Sequence, residues 1–283
     1  MIIRDLFSDA VNRLVLYGVE NARNEARWIF EAAFECGREY AVLHGGDEAD
    51  SKKAERFDAM INSRAQGMPV QYVIGEWDFY GERFRVGEGV LIPRPETEML
   101  VDFALGYLKD KKNPVVFDLC AGSGCIGLSV AKNRPDAKVY LLEKSEEAFG
   151  YLSANKNQLS CNNAELIGGD LFSGFESFDI PQPDLILSNP PYIESAEVPL
   201  LQKEVQREPT MALDGGEDGY DFYRALAMKW LPFCKGAIAV ECGENQTQKI
   251  EKLFSVLCTE VHSENDFNGI GRMVCGIIGT ERF

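Results

Sequence analysis

An α/β fold, with a mostly parallel sheet covered by helices on both faces and preceded by a small helical domain, is predicted by three features of the sequence. From residue 99 onward, short apolar runs alternate with amphipathic stretches. Residues 1–75 instead carry apolar side chains at helical spacing. A glycine-rich turn joins the first apolar run to the stretch that follows it. With 283 residues, 45% hydrophobic and 26% charged, the chain is ordinary for a folded protein and long enough for one or two domains.

In the first region Leu6, Ala10 and Leu14, then Ala26, Ile29, Phe30, Ala33 and Phe34, mark helical faces, with Gly18, Gly37 and Gly67 where helices stop. Another amphipathic helix is expected over 51–66, ended by Gly67 and Pro69. Over 70–92 the pattern changes to aromatic and β-branched runs broken by glycines, which predicts a hairpin linker, placed at 76–98. Beyond it, strands are expected at 115–119, 138–143, 164–167, 184–188 and 237–241, with two final strands near 259–263 and 272–278. Helices are expected from about 123, up to about 159, over 221–233 and over 245–257. The helical domain therefore spans 1–75 and the α/β domain 99–283.

Composition excludes several functions. With 29 Lys and Arg against 45 Asp and Glu the net charge is -16, so a surface built to track nucleic-acid phosphates is not expected. The first 75 residues carry 9 basic and 12 acidic groups, which rules out a basic arm. No run of about 18 uncharged apolar residues occurs, and MIIRDLFSDA lacks the pattern of a signal peptide, so a cytoplasmic protein with no membrane partner is expected. The eight cysteines form no C-x-x-C pair and only His44 and His262 accompany them, which predicts reduced core thiols and no metal site. A monomer is expected.

The segment 118–127, DLCAGSGCIG, lies between a strand and a helix, where glycines permit a tight turn and close backbone approach to a ligand. Gly122, Gly124 and Gly127 also fit G-x-G-x-x-G, and Glu143 is placed to meet a ribose hydroxyl, so this segment alone leaves a nicotinamide dinucleotide open. Asp118 at the end of the first strand resembles the acid of Rossmann-like S-adenosylmethionine-dependent methyltransferases, which orients the loop or contacts the cofactor's amino-acid part. Asp170, in GGDLF at 168–172, should reach the same rim after the third strand and accept from an adenine amino group, with Leu171 against the purine. Its alternative role is a turn cap.

Asn189-Pro190-Pro191-Tyr192 follows the next strand at the same sheet edge. An amide or exocyclic amine is a weak nucleophile, and its methylation requires the nitrogen held in line with the methyl donor. The Asn189 side-chain oxygen and the Pro190 carbonyl are acceptors for its N–H groups, favouring the positive charge that develops on nitrogen. Two prolines stiffen the segment, and Tyr192 offers a flat face for stacking. Asn189, Pro190 and Tyr192 are thus the candidate catalytic residues, and Asn189 to Tyr192 the candidate substrate site.

The chain resembles the HemK/PrmC family of protein-glutamine N5-methyltransferases over nearly its whole length. The resemblance is carried by IPRPETEML at 92–100, DLCAGSGCIG at 118–127, GDLF at 169–172, NPPYI at 189–193, REPTMAL at 207–213, GGEDG at 215–219 and FYR at 222–224. It implies methyl transfer from S-adenosylmethionine to the side-chain amide of the Gly-Gly-Gln glutamine of peptide chain release factors, which would be the protein partners. It also implies a cofactor site formed by Asp118, Cys120, Ala121, Gly122, Ser123, Gly124, Glu143, Asp170, Leu171 and Asn189. The helical domain would recognise the substrate. Cys120 departs from the glycine common at that position in methyltransferases, and a positive φ there would strain it.

Pro93, Pro95, Glu96 and Glu98 are read either as a wall of the site or as a rigid linker ahead of a helix N-terminus. The 214–221 stretch is either a mobile acidic loop over the substrate entrance or a solvated loop. A ribosomal-protein glutamine methyltransferase would share the same site. A DNA amino-methyltransferase fits NPPY but needs a basic groove, and residues 76–283 carry 20 basic against 33 acidic groups. A non-enzymatic nucleotide-sensing adaptor and a dehydrogenase are the alternatives outside methyl transfer.

Overall fold

The computed structural model describes residues 1–279, so the end of the expected 99–283 domain, residues 280–283, lies outside the described residues. The described residues form two compact units, one of Met1–Trp77 with Gln202–Arg207 and one of Asp78–Leu201 with the chain from Glu208 onward.

The first unit contains α1 (Ile3–Leu16), α2 (Ala22–Phe34), the short α3 (Tyr40–Leu43), α4 (Ser51–Ala65) and α5 (Val70–Ile74). The expected helical spacing is met: Ala10, Leu14, Ala26, Ile29, Phe30, Ala33 and Phe34 share one buried cluster with Phe57 and Ile61 of α4. Phe30 and Phe34 stack at 4.1 Å between ring centroids. Asp50 caps α4 by accepting the Lys53 amide at 3.0 Å. Two expectations fail locally. α2 ends on Glu35 in the left-handed conformation, two residues before Gly37. Val70–Ile74 is a turn of helix capped by Gly75, although its β-branched residues suggested a strand. The distant segment Gln202–Arg207 joins this unit because buried Arg64 pairs with Glu25 and also donates to Glu204 at 2.8 Å.

A hairpin of β1 (Glu76–Phe79) and β2 (Glu82–Arg85) follows. From Asp78 on, the expected linker 76–98 belongs to the second unit, since Phe79 and Phe84 are buried in that unit's core. The remaining elements are α6 (Glu98–Tyr107), β3 (Val115–Leu119), α7 (Cys125–Asn133), β4 (Lys138–Glu143), α8 (Glu146–Leu159), β5 (Ala164–Gly168), β6 (Leu185–Ser188), α9 (Asp221–Lys229), β7 (Ala237–Glu241), α10 (Thr247–Phe254), β8 (Glu260–Asn265) and β9 (Gly271–Ile277). Their seven-stranded sheet has the order β5-β4-β3-β6-β7-β9-β8, and β9 alone runs against the others, since it is antiparallel to both β7 and β8.

Alternation along the strands sorts the core into two layers. Val116, Val139, Leu141, Leu185 and Leu187 face the side covered by α6, α7 and α8. Phe117, Leu119, Leu142, Ile186 and Val240 face the side covered by α9 and α10. The chain runs outward from β3 through β4 to β5 and then returns to β6 on the other side of β3. This reversal opens a crevice beyond the carboxyl ends of β3 and β6.

Candidate active site

Register decides which side chains meet at that crevice. Leu119 pairs with Leu142 and with Ser188, and Ser188 pairs with Val240. The next residue of each strand, Cys120, Glu143, Asn189 and Glu241, therefore lies on one line along the sheet edge. Gly168, opposite Glu143, leads into Asp170.

A cleft of about 1110 Å³, including its open mouth, occupies this edge. Of the expected cofactor residues, Cys120, Ala121, Gly122, Ser123, Glu143, Asp170, Leu171 and Asn189 line it. Gly122 has φ 55°, and a Cβ there would meet no atom within 4 Å, so the turn leaves its inner side open. Glu143 shapes that turn by accepting the Gly122 amide at 2.7 Å through Oε2 and the Ser145 amide at 2.7 Å through Oε1. Asp170 accepts the Phe172 amide at 2.9 Å and pairs with Lys144 at 2.9 Å, so it is a turn cap as well as a lining residue. Burial works against its charge, but Lys144 and the Phe172 N–H outweigh burial and hold its pKa below the usual value. Two carboxylates at the ends of neighbouring strands, in a cleft with much apolar lining, fit a nucleoside with a diol and an amino group.

Four expected site residues are placed differently. Asp118 is fully buried on the α7 side of the sheet, outside the cleft, where its Oδ2 accepts the Gly127 amide at 2.8 Å. Alternation along β3 turns it away from the ligand, so it orients the glycine turn. Gly124 also lies behind the cleft; its φ of 82° caps α7, and a Cβ there would sit 2.4 Å from Leu152 Cδ1. Pro190 is buried and Tyr192 packs among the apolar residues of the α9/α10 layer, so neither side chain lines the cleft. The Tyr192 hydroxyl points to Glu241 Oε1 at 3.5 Å, which removes the ring from the expected stacking role.

Cys120 has a φ of 64°, the left-handed region in which a side chain is strained. Burial, with Glu143 and Asp118 nearby, pushes its thiol pKa well above the ordinary value, which disfavours the thiolate. The glycine common at this position in methyltransferases thus has a backbone reason. We expect Cys120→Gly to stay within about 1 kcal/mol of the parent in urea unfolding, because relief of strain offsets added chain entropy. Cys120→Val should cost about 2 kcal/mol, as a β-branched residue at positive φ.

The wall segment also differs in detail. Pro93, Arg94 and Thr97 line the cleft, whereas Pro95, Glu96 and Glu98 do not. Glu98 opens α6 and accepts the Tyr80 amide at 2.8 Å. Buried Glu208 accepts the Ile92 amide at 2.9 Å and pairs with Arg94, tying this wall to the lining residues Pro209, Met211 and Ala212. The 214–221 loop is braced against the NPPY backbone. Ile193 donates to the Leu213 carbonyl at 2.9 Å, Gly215 donates to the Ile193 carbonyl at 2.8 Å, and Gln246 Nε2 donates to the Tyr192 carbonyl at 2.9 Å.

Sequence reading missed Thr97 and Glu241. Asn189 Nδ2 donates to Thr97 Oγ1 at 3.2 Å, and Thr97 Oγ1 donates to Glu241 Oε2 at 2.5 Å. The available signal was that Glu241, at the carboxyl end of β7, is the one charged residue in the strand AIAVE.

Two buried carboxyls titrate far from their usual range. Burial pushes Asp118 up to about 7, against the Gly127 hydrogen bond, and pushes Glu241 up to about 7, against the Thr97 hydrogen bond. A folded pKa above the unfolded value means that each contribution to stability is fully present below the unfolded pKa and is lost as pH rises through about 7. The melting temperature should therefore fall between pH 5 and pH 8, and Asp118→Asn should flatten that slope. An unchanged slope in thermal melts of the variant would show that Asp118 does not carry it.

Family comparisons match this layout. Residues 5–75 match the PrmC N-terminal domain and residues 97–216 the methyltransferase small domain. The release factor glutamine methyltransferase of Thermodesulfovibrio yellowstonii is 39% identical over 212 residues, which cover 73% of this chain and 75% of that protein. The chain belongs to the release factor glutamine methyltransferase family. That of Caulobacter vibrioides is 36% identical over 95% of this chain and 93% of its own length. Among solved structures, the hMettl16 catalytic domain in complex with the MAT2A 3'UTR hairpin 1 superposes with a TM-score of 0.57 at 10% identity, over 87% of this chain and 90% of that one. A methyltransferase from Pyrococcus furiosus does so with a TM-score of 0.51 at 17% identity, over 70% of this chain and 90% of that one. At those identities the likeness concerns the fold, which is that of a methyltransferase. No helix among the described residues is long and apolar enough to cross a membrane.

Proposed function

We propose that this family member transfers the methyl group of S-adenosylmethionine to the side-chain amide nitrogen, N5, of the glutamine in the Gly-Gly-Gln loop of peptide chain release factors. The observation that carries this reading is the orientation of Asn189. Its Nδ2 is committed to Thr97, and none of the hydrogen bonds among the described residues engages its Oδ1 or the Pro190 carbonyl. Asn189 and Pro191 line the cleft with Pro190 between them, which supports reading the Asn189 Oδ1 and the Pro190 carbonyl as the acceptors for the two N–H bonds of a primary amide. S-adenosylmethionine, when bound, supplies an electrophilic methyl group on a cationic sulfur.

The protein's own part is placement. Glu143 and Asp170 would hold the ribose and the adenine, and Gly122 and Ser123 the amino-acid end. Asn189 and Pro190 would hold the amide nitrogen in line and favour the charge that grows on it. Phe172, Met211 and Phe222, apolar residues of the lining, would keep water from the reacting nitrogen. No metal has a part in this scheme. The helical domain would recognise the protein substrate, and an acidic chain of net charge -16 suits a protein better than a nucleic-acid partner. Transfer of label to purified release factor, with the loop glutamine replaced by alanine as a control, tests the assignment.

A further inference from the structure

We propose that Thr97 and Glu241 are positioning residues whose hydrogen-bond relay fixes which end of the Asn189 amide faces the substrate; the inference rests on the function proposed above.

The two ends of an asparagine amide have nearly the same shape, so packing alone does not tell them apart. Their chemistry is opposite. With Oδ1 toward the substrate the side chain accepts from the amide N–H, whereas with Nδ2 in that place it sets donor against donor. The selection must come from the group on the far side of Asn189, which is Thr97 at 3.2 Å.

A hydroxyl has one proton to give, and Thr97 gives it to Glu241 Oε2 at 2.5 Å. An ionised carboxylate only accepts, so the direction of this bond is forced. What Thr97 then offers Asn189 is a lone pair, which asks for Nδ2 and leaves Oδ1 for the substrate. Glu241 is 4% exposed at the end of β7, a costly place for a carboxylate with no task. Its second oxygen faces the Tyr192 hydroxyl at 3.5 Å, and its backbone carbonyl accepts the Tyr223 hydroxyl at 2.8 Å. Tyr192 of the NPPY segment, turned away from the cleft, thus reaches the carboxylate that Asn189 meets only through Thr97.

The relay reverses when Glu241 takes a proton. A carboxylic acid can donate to Thr97, and the freed threonine hydroxyl can then donate to Asn189 Oδ1, which favours the flipped amide. The groups facing Glu241 are Thr97 and Tyr192, Tyr223 from α9, Arg272 from β9, Arg94 and Glu96 from the segment before α6, Cys242 next to it and Cys125 at the start of α7. Burial raises its pKa most, Thr97, Arg272 and Arg94 lower it, and Glu96 raises it, leaving it at about 7. Transfer should therefore decline as pH falls through about 7.

The test compares Thr97→Val, Thr97→Ser and Glu241→Gln in steady-state methyl transfer to release factor, with calorimetric titration of S-adenosylmethionine on each protein. Thr97→Val should lower kcat by about 10- to 100-fold, with cofactor Kd changed by less than about threefold. Thr97→Ser, which keeps the hydroxyl, should recover most of the rate. Glu241→Gln should lower kcat and lose the acid limb near pH 7, an outcome that is readable even if the valine variant does not fold. Parental kcat in Thr97→Val, equal losses in the valine and serine variants, or an unchanged acid limb in Glu241→Gln would overturn the relay. A parent protein that methylates no loop glutamine would instead overturn the functional reading beneath it.

Discussion

Asn189→Ala is expected to lower kcat for methyl transfer by about 10²- to 10³-fold, the scale for removing one preorganised group that meets developing charge. The expectation follows from its place at the carboxyl end of β6, one residue beyond the Ser188 pairing with Leu119 and Val240. There the side chain lines the cleft while its amide is held from behind by Thr97. On the proposed function, truncation would remove an acceptor for the substrate N–H and the rigidity that keeps it aimed. The fold should survive, because Asn189 is only partly buried and strand β6 ends before it. Circular dichroism and a thermal melt alongside single-turnover kinetics separate the two effects. Parental turnover in the variant would remove Asn189 from the mechanism.

Gly215→Ala is expected to have the next largest effect, although Gly215 is not among the cleft-lining residues. A Cβ there would stand 2.7 Å from the Tyr192 Cα and 2.9 Å from the Pro191 carbonyl oxygen. Those are backbone atoms, which cannot rotate away as a side chain can. The loop must move, or the NPPY segment must, and the Gly215–Ile193 hydrogen bond at 2.8 Å couples the two. Displacement of the acceptors by about 1 Å is enough to cost roughly 10²-fold in rate, with about 1–3 kcal/mol lost from stability by overpacking. Kinetics and urea unfolding of the variant check both parts. Unchanged activity would mean that the loop gives way without moving Asn189.

Much of the second unit was legible because its strands are short apolar runs with punctuated ends. β3, β4 and β7 begin and end where the pattern places them, and the carboxyl-edge position of Asn189 and Glu143 follows from those ends. Direction was less legible than position. Asp118 and Tyr192 occur at the expected places in the chain, but alternation turns the first to the α7 face, and packing in the α9/α10 layer turns the second toward Glu241. Partners distant in sequence were not legible at all. Thr97 and Glu241 are 144 positions apart, and Arg64 and Glu204, which bring Gln202–Arg207 into the helical unit, are 140 apart. Val70–Ile74 illustrates the weakness of short windows: its β-branched composition suggests a strand, but Gly75 in the left-handed conformation closes it as a helical turn.

On the proposed function, the Asn189 side chain and the Pro190 carbonyl serve a loop glutamine. The most direct test of this is transfer of label from S-adenosylmethionine to purified release factor, to its Gly-Gly-Gln glutamine→alanine variant and to unmethylated duplex DNA, with the site read by mass spectrometry. One methyl group on the loop glutamine, absent from the variant and from DNA, is the predicted result. Label on DNA, or equal label on release factor and its variant, would contradict the account.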